Sequence, residues 1–285
     1  MAAMTPLRVV GFASGSPLSQ VVMARIAKEH TLAGIVMPPR PPGIISTLRA
    51  RLSFMRNPLG RLGAPFVQMD DVIGLRPDVI VVASFPRIIA TSILESARIA
   101  AFNIHMSLLP RHRGADPIFW TYWHDDREAG VSTHWMTSKL DAGDIAMQHS
   151  APLPRGLPSR ALYHQLATLS AQQIASVLEL ASKSEAPRQV QQASHASYAS
   201  RDDIAQARIP FAYWPAERVW HVISGLGDQY SGLVDRAPGL QLQHGRATGY
   251  RHATDMQPGR VDTLNSSYEL HCLDGIVDVQ APLTR

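Results

Sequence analysis

Apolar residues along this chain fall into short runs and helical spacings that alternate. Leu7 to Ala13 is an apolar run closed by Ser14-Gly15-Ser16-Pro17, the pattern of a strand followed by a tight turn. Leu18, Val22 and Ile26 then recur at i, i+4 and i+8, which predicts a helix, and Leu32 to Met37 reads as a second strand. Pro65 to Gln68, Val79 to Ala83 and Ile99 to Ile104 follow as strands, with a helix over Ala90 to Ser96 between the last two. Pro117 to His124 predicts a helix with proline in its first turn. Val131 to Trp135 and Ile145 to Ser150 read as strands. Pro158-Ser159 opens a long amphipathic helix with Leu162, Leu166, Leu169, Val177 and Leu180 on one face. Strands alternating with helices predict a doubly wound α/β sheet.

The first turn lacks G-x-G-x-x-G and carries no Walker-type lysine, so this Rossmann-like sheet is architecture rather than a dinucleotide site. Pro38-Pro39-Arg40-Pro41-Pro42-Gly43 excludes helix and central strand, and Ile44 to Phe54 is expected as a short helix carrying Arg49 and Arg51. Beyond residue 183 the chain turns polar and rich in Ser, Gln and Ala. Short strand-like runs return around Ala247 to Arg251, Gly259 to Leu264, Tyr268 to Cys272 and Ile276 to Val279, with Asp274-Gly275 as a hairpin signal. The expected layout is a large α/β unit over 1–183, a linker over 184–208, and a small, mostly β, barrel-like module over 209–285.

Composition narrows the class. A chain of 285 residues with 45% hydrophobic content holds one large domain and a small one. Its one cysteine, Cys272, excludes an internal disulfide framework. No apolar stretch reaches membrane-spanning length and no leader pattern opens the chain, so a cytoplasmic protein without membrane partners is expected. Formal charge is +4, unevenly spread. Arg40, Arg49, Arg51, Arg56 and Arg61 stand between Thr31 and Met69 with no acid, whereas Ile209 to the end holds eight acids against six arginines and no lysine. The arginine-rich stretch could grip a phosphate or be a solvated basic loop.

The chemistry centres on Phe102-Asn103-Ile104-His105-Met106-Ser107-Leu108-Leu109-Pro110. Strand alternation puts Asn103 and His105 on one face, just before Pro110 and Gly114 break the strand into a loop. Asp141, in a second Gly-containing loop, could orient or charge the imidazole. An amide donor, an imidazole and a carboxylate are the parts that acyl transfer needs. The other eleven histidines, including His112, His124, His134 and His149, show no metal-ligand spacing, and no metal is expected. Ser107 has no G-x-S-x-G elbow around it and reads as a turn-forming hydroxyl. Trp120 and Trp123 share a helix face and are expected in the core.

Asn-x-His-x-Ser-Leu-Leu-Pro from Asn103, then Arg113-Gly114, Gly130-Val-x-x-His134 and Leu140-Asp141-x-Gly143-Asp144-Ile145, closely resembles the 10-formyltetrahydrofolate-dependent formyltransferases. That family includes methionyl-tRNA, glycinamide ribonucleotide and sugar N-formyltransferases. The resemblance covers residues 5 to 183 well and the C-terminal part more weakly. It implies direct transfer of a formyl group from 10-formyltetrahydrofolate, with Asn103, His105 and Asp141 as the catalytic residues. Phe85, Arg87 and Ile88, in the Ser84 to Ile89 loop, together with Leu140, Ala142, Gly143 and Asp144, would hold the folate. The expected acceptor is a small primary amine, such as a nucleotide-linked amino sugar or an amino-acid-derived intermediate. Methionyl-tRNA is the alternative, disfavoured by the acidic C-terminal module because nucleic-acid affinity rests on Lys and Arg contacts to phosphates. A formyl-folate hydrolase or a non-catalytic folate-binding protein is the alternative of another class. A homodimer is compatible with the sequence.

Overall fold

Arg8–Ala13 forms β1 in the computed structural model, which describes residues 5–39, 57–227, 229–230, 233, 246–264 and 267–280. The helix expected over Ile44 to Phe54, with Arg40, Arg49, Arg51 and Arg56, lies outside the described residues; Arg61 is exposed on the short 3-10 turn Pro58–Leu62. Helix α1 (Pro17–Glu29) starts where the Ser16 hydroxyl accepts from the Ser19 N–H and proline occupies the first turn. Next come β2 (Thr31–Val36), β3 (Phe66–Val67), β4 (Val79–Ala83), the one-turn α2 (Thr91–Leu94), β5 (Ala100–His105) and the two-residue β6 (Arg113–Gly114). Then follow α3 (Pro117–Trp123), β7 (Glu128–Trp135), β8 (Ile145–Pro152), α4 (Ser159–Ser182), β9 (Tyr198–Ala199), α5 (Arg201–Gln206) and α6 (Ala216–Leu226). The chain closes with β10 (Arg246–His252), β11 (Val261–Leu264), β12 (Ser267–His271) and β13 (Gly275–Gln280).

Seven strands form one sheet in the order β3-β2-β1-β4-β5-β7-β8. The pairs from β3 through β5 are parallel, and β7 joins β5 antiparallel. β4 is buried at every position and β1 at all but its first, which is what apolar runs covered on both faces produce. Val10, Phe12, Ile80, Val82, Ile89 and Ile93 belong to one buried cluster of this sheet, with Phe85 and Met136 packed against it. On α4 the buried positions include Leu162, Leu166, Ile174, Val177 and Leu178, with Leu169 and Leu180 at the half-buried margin. No helix among the described residues is long and apolar enough to cross a membrane.

Contacts divide the chain into two compact units: residues 1–114, 130–150 and 163–198 in one, and 115–129, 151–162 and 199–285 in the other. The second unit holds an antiparallel sheet in the order β10-β13-β12-β11, so the small β module takes the form of a four-stranded sheet. In this unit Trp120 of α3 is buried, as expected, whereas Trp123 is half-buried, its ring stacked on Phe119 and 5.0 Å from that of Trp214. Asp274, in the expected hairpin turn, caps α6 by accepting from the Ala216 N–H at 2.7 Å.

Ile80 is fully buried on the central strand β4. Ile80→Ala is expected to cost about 2–5 kcal/mol of stability through lost burial and the cavity left behind. A urea titration followed by near-UV circular dichroism reads the loss.

Candidate functional site

β5 pairs with β4 on one side and β7 on the other, so Asn103 faces Val82 and His134 across its two ladders. Phe102 points to the opposite face, where its ring lies 4.7 Å from that of Trp135. Asn103 and His105 therefore share the remaining face, as the alternation predicts. After His105 the chain folds tightly back. The Ser107 hydroxyl donates to the Arg111 carbonyl at 2.7 Å, a turn role and not a nucleophile's. The His105 Nε2 lies 2.7 Å from the His112 carbonyl. A carbonyl only accepts, so Nε2 carries the proton and Nδ1 is left facing Asp141 Oδ2 at 3.7 Å.

Asp141 sits 7% exposed in the loop between β7 and β8. Its Oδ2 accepts from the Gly114 N–H at 2.9 Å and its Oδ1 from the Asn103 amide at 3.3 Å. The same amide nitrogen lies 3.1 Å from His134 Nε2, which is itself 3.5 Å from Asp141 Oδ1. His134 Nδ1 is 2.9 Å from the Trp135 carbonyl and so carries a proton, leaving Nε2 to accept from Asn103 in the neutral ring. The structure thus brings Asn103, His105 and Asp141 together and adds His134, the histidine of Gly130-Val-x-x-His.

Electrostatics follow from burial and partners. Burial pushes the Asp141 carboxyl up, but the pull of the His134 and His105 imidazoles in their protonated forms, together with the Gly114 N–H, outweighs it and holds the carboxyl down at about 2. For His105 the balance runs the other way. Burial lowers its pKa by more than Asp141, as a neighbouring carboxylate should, raises it, and the net lies below 6.5.

The loop geometry is tight. Asp141 and His112 both have left-handed backbones, at φ 48° and 58°. At Gly143 a Cβ would run into the Trp135 carbonyl, next to the 2.8 Å bond from the Trp135 N–H to the Asp144 carbonyl. Leu140 is 62% exposed, Ala142 half-buried, and the Asp144 carboxylate lies 3.6 Å from Arg188 Nη1. In the other expected folate loop, Phe85 packs edge-on against Phe12 at 5.2 Å, while Arg87 is exposed and Ile88 is 93% exposed.

A segment from the expected linker completes the site. Gln189 exchanges both backbone hydrogen bonds with Ile145, at 2.8 and 3.0 Å. The Gln191 amide donates to the Asp141 and Gly143 carbonyls at 2.9 and 2.7 Å and accepts from the Arg113 guanidinium at 3.0 and 2.7 Å. Arg113 Nη1 donates to the Tyr198 hydroxyl, and the Ser197 hydroxyl accepts from the His112 N–H at 2.8 Å. Sequence reading missed Gln191 and Ser197, because polar residues between two modules carry no periodic signal.

In the second unit Asp262, Glu269 and His271 form a group able to hold a metal ion. Asp262 is bonded to Arg260 at 2.7 Å and to His271 at 3.0 Å, and Glu269 to Arg251 at 2.8 Å.

Residues 68–178 match the family model described as Formyl transferase. A methionyl-tRNA formyltransferase of Moorella thermoacetica is 33% identical over 217 residues, 72% of this chain and 68% of that protein. One from Limosilactobacillus fermentum is 32% identical over 196 residues, 68% of this chain and 61% of that protein. The chain thus spans about two thirds of the length of these relatives. Among solved structures, an N-formyltransferase from Helicobacter canadensis, in complex with folinic acid and dTDP-3-aminofucose, superposes with TM-score 0.71. It is 14% identical, with 97% of this chain and 99% of that one covered. A sugar 3-N-formyltransferase solved with dTDP and 5-N-formyltetrahydrofolate gives TM-score 0.69 at 16% identity, covering 99% of both.

Asp141, held down at about 2 in the fold against an ordinary 3.8, contributes stability that is present at neutral pH and lost as pH falls from about 4 toward 2. At about 1.4 kcal/mol per unit this is on the order of 2 kcal/mol. His105 acts in the same direction, its depressed pKa removing stability as pH falls below 6.5. Thermal melts across pH should show both slopes, and Asp141→Asn should flatten the one below about pH 4.

Proposed function

The chain belongs to the formyl transferase family, and from that premise we propose that it moves the formyl group of 10-formyltetrahydrofolate onto the primary amine of a small acceptor. The observation that carries the reading is the convergence of Asn103, His105 and Asp141 at the end of β5. The acceptor nitrogen attacks the formyl carbon and the carbonyl electron pair moves onto oxygen. Asn103 then hands that oxyanion one of the N–H groups now pointing at Asp141 and His134. His105, neutral through burial, takes the amine proton at Nδ1, and the Asp141 carboxylate stabilises the imidazolium that results. As the oxyanion re-forms the carbonyl and the bond from N10 to the formyl carbon breaks, His105 gives the proton to N10, leaving the N-formylated acceptor and tetrahydrofolate. Backbone groups of Leu140, Ala142, Gly143 and Asp144 hold the pteridine edge, with Phe85, Arg87 and Ile88 as the facing loop, and the step needs no metal.

The small-acceptor reading is supported by two fold neighbours that match this chain along nearly its whole length and were solved with a dTDP-amino sugar or with dTDP. The acidic balance from Ile209 onward points the same way, because a polyanion needs Lys and Arg contacts. The second reading, transfer to methionyl-tRNA, is favoured by the curated relatives.

His105→Ala is expected to lower turnover about 10²–10⁴-fold, the range for losing a general acid–base group, with the melting temperature little changed. Near-wild-type kcat in that folded variant would remove the assignment. Acceptor choice is decided by equal concentrations of amino-sugar nucleotides and methionyl-tRNA with 10-formyltetrahydrofolate. The small amine should be formylated faster, and efficient, salt-sensitive formylation of the tRNA would reverse the choice. Calorimetry with 5-formyltetrahydrofolate before and after chelation tests the donor site, with binding heat unchanged by chelation expected.

A further inference from the structure

We propose that residues 187–198 act as a strap that positions the catalytic groups, Gln191 by fixing the Asp141 loop and Ser197 by fixing His105 through His112. The strap first registers itself beside β8, through the paired backbone bonds of Gln189 and Ile145. Residues on both sides of that pairing then make contacts of their own. Pro187 accepts from the Trp135 indole at 2.8 Å, and the Arg188 guanidinium lies 3.6 Å over that ring.

Gln191 is 8% exposed, and every polar atom of its amide is used. Its nitrogen bridges the carbonyls of Asp141 and Gly143, the two residues between which the loop must pass close to Trp135. Its oxygen takes two N–H groups of Arg113, the residue next to Gly114, whose own N–H bonds the Asp141 carboxylate. One side chain therefore ties together the backbone that presents the carboxylate and the backbone that donates to it. Only a primary amide offers two donors on one atom and an acceptor on the other, and asparagine is a methylene too short for the same span.

Ser197 holds the other arm. Its hydroxyl takes the His112 N–H, its carbonyl takes the Arg113 N–H at 2.9 Å, and its own N–H reaches the Pro110 carbonyl at 3.3 Å. His112 adopts the left-handed backbone that costs a non-glycine residue roughly 1–2 kcal/mol, and it aims its carbonyl at His105 Nε2. That bond sets the ring so that Nδ1 faces Asp141. Strap to His112 to His105, and strap to Asp141, are two routes from one segment to the two groups that share the proton. Neither Gln191 nor Ser197 touches a reacting atom in the proposed step. They are positioning residues, and a displacement near 1 Å in such groups can cost about 10²-fold in rate.

The activity arm of the test rests on the formyl-transfer reading, and the magnetic-resonance arm does not. Gln191→Glu keeps the Arg113 contact and loses both donations to the loop, whereas Gln191→Met loses both sides. If Gln191 positions the loop, both variants lower kcat by about 10–100-fold, and both lower the melting temperature because the two loop carbonyls lose their donor. If Gln191 only anchors Arg113, the Glu variant keeps wild-type kcat and the proposal fails. Ser197→Ala should lower kcat with KM for donor and acceptor near wild type, and Ser197→Thr should restore it. In the same Ala variant the His105 ring resonances and their titration midpoint should move. Unmoved resonances, or a kcat within twofold of wild type, would overturn the Ser197 route. A wild-type protein that transfers no formyl group would defeat the reading of function, and the His105 resonances would then decide the strap alone.

Discussion

The Asp141 carboxylate is the charge on which the candidate site turns, because a carboxylate taken out of water costs several kcal/mol unless donors replace the solvent. Here the donors are the Gly114 N–H and the Asn103 amide, with the imidazoles of His134 and His105 standing 3.5 and 3.7 Å from the carboxylate. Each of those groups is in turn fixed by something else, Asn103 by its place between two ladders and His105 by the His112 carbonyl. Remove the charge, and the reason for their convergence goes with it.

The same burial sets the division of labour. Desolvation works against charge on both Asp141 and His105, yet only the carboxylate has enough donors to stay ionised. The result is an anion beside a neutral ring rather than an ion pair. That arrangement suits a proton that must be accepted and then released, since the cost of forming the imidazolium is reduced by the anion next to it. Backbone strain at Asp141 and His112 is tolerated because the surrounding hydrogen bonds over-determine both loops.

The sheet was legible because its strands are continuous apolar runs, and Val79 to Ala83 is buried at every position. The alternation that put Asn103 and His105 on one face needed no tertiary information. Asp141 was named with them through its motif, and its contacts with Asn103 and His105 could be seen only after folding. What escaped was of two kinds. The pKa of His105 depends on how much water the fold excludes, which no local pattern encodes. Gln191 and Ser197 act through bonds to residues 48 to 85 positions away, from a stretch whose composition reads as solvent-exposed connector.

That last feature bears on how such proteins can be recombined. A compositional boundary at residue 183 looks like the natural place to graft a different C-terminal module and so change the acceptor. The strap lies beyond that boundary, up to Tyr198, and belongs to the first compact unit. A chimera cut there would import a foreign connector and discard the Gln191 and Ser197 contacts, confusing a loss of rate with a change of specificity. A junction downstream of Tyr198 keeps the contacts to Asp141 and His112 within their own chain, so that whatever the grafted module alters can be read apart from them.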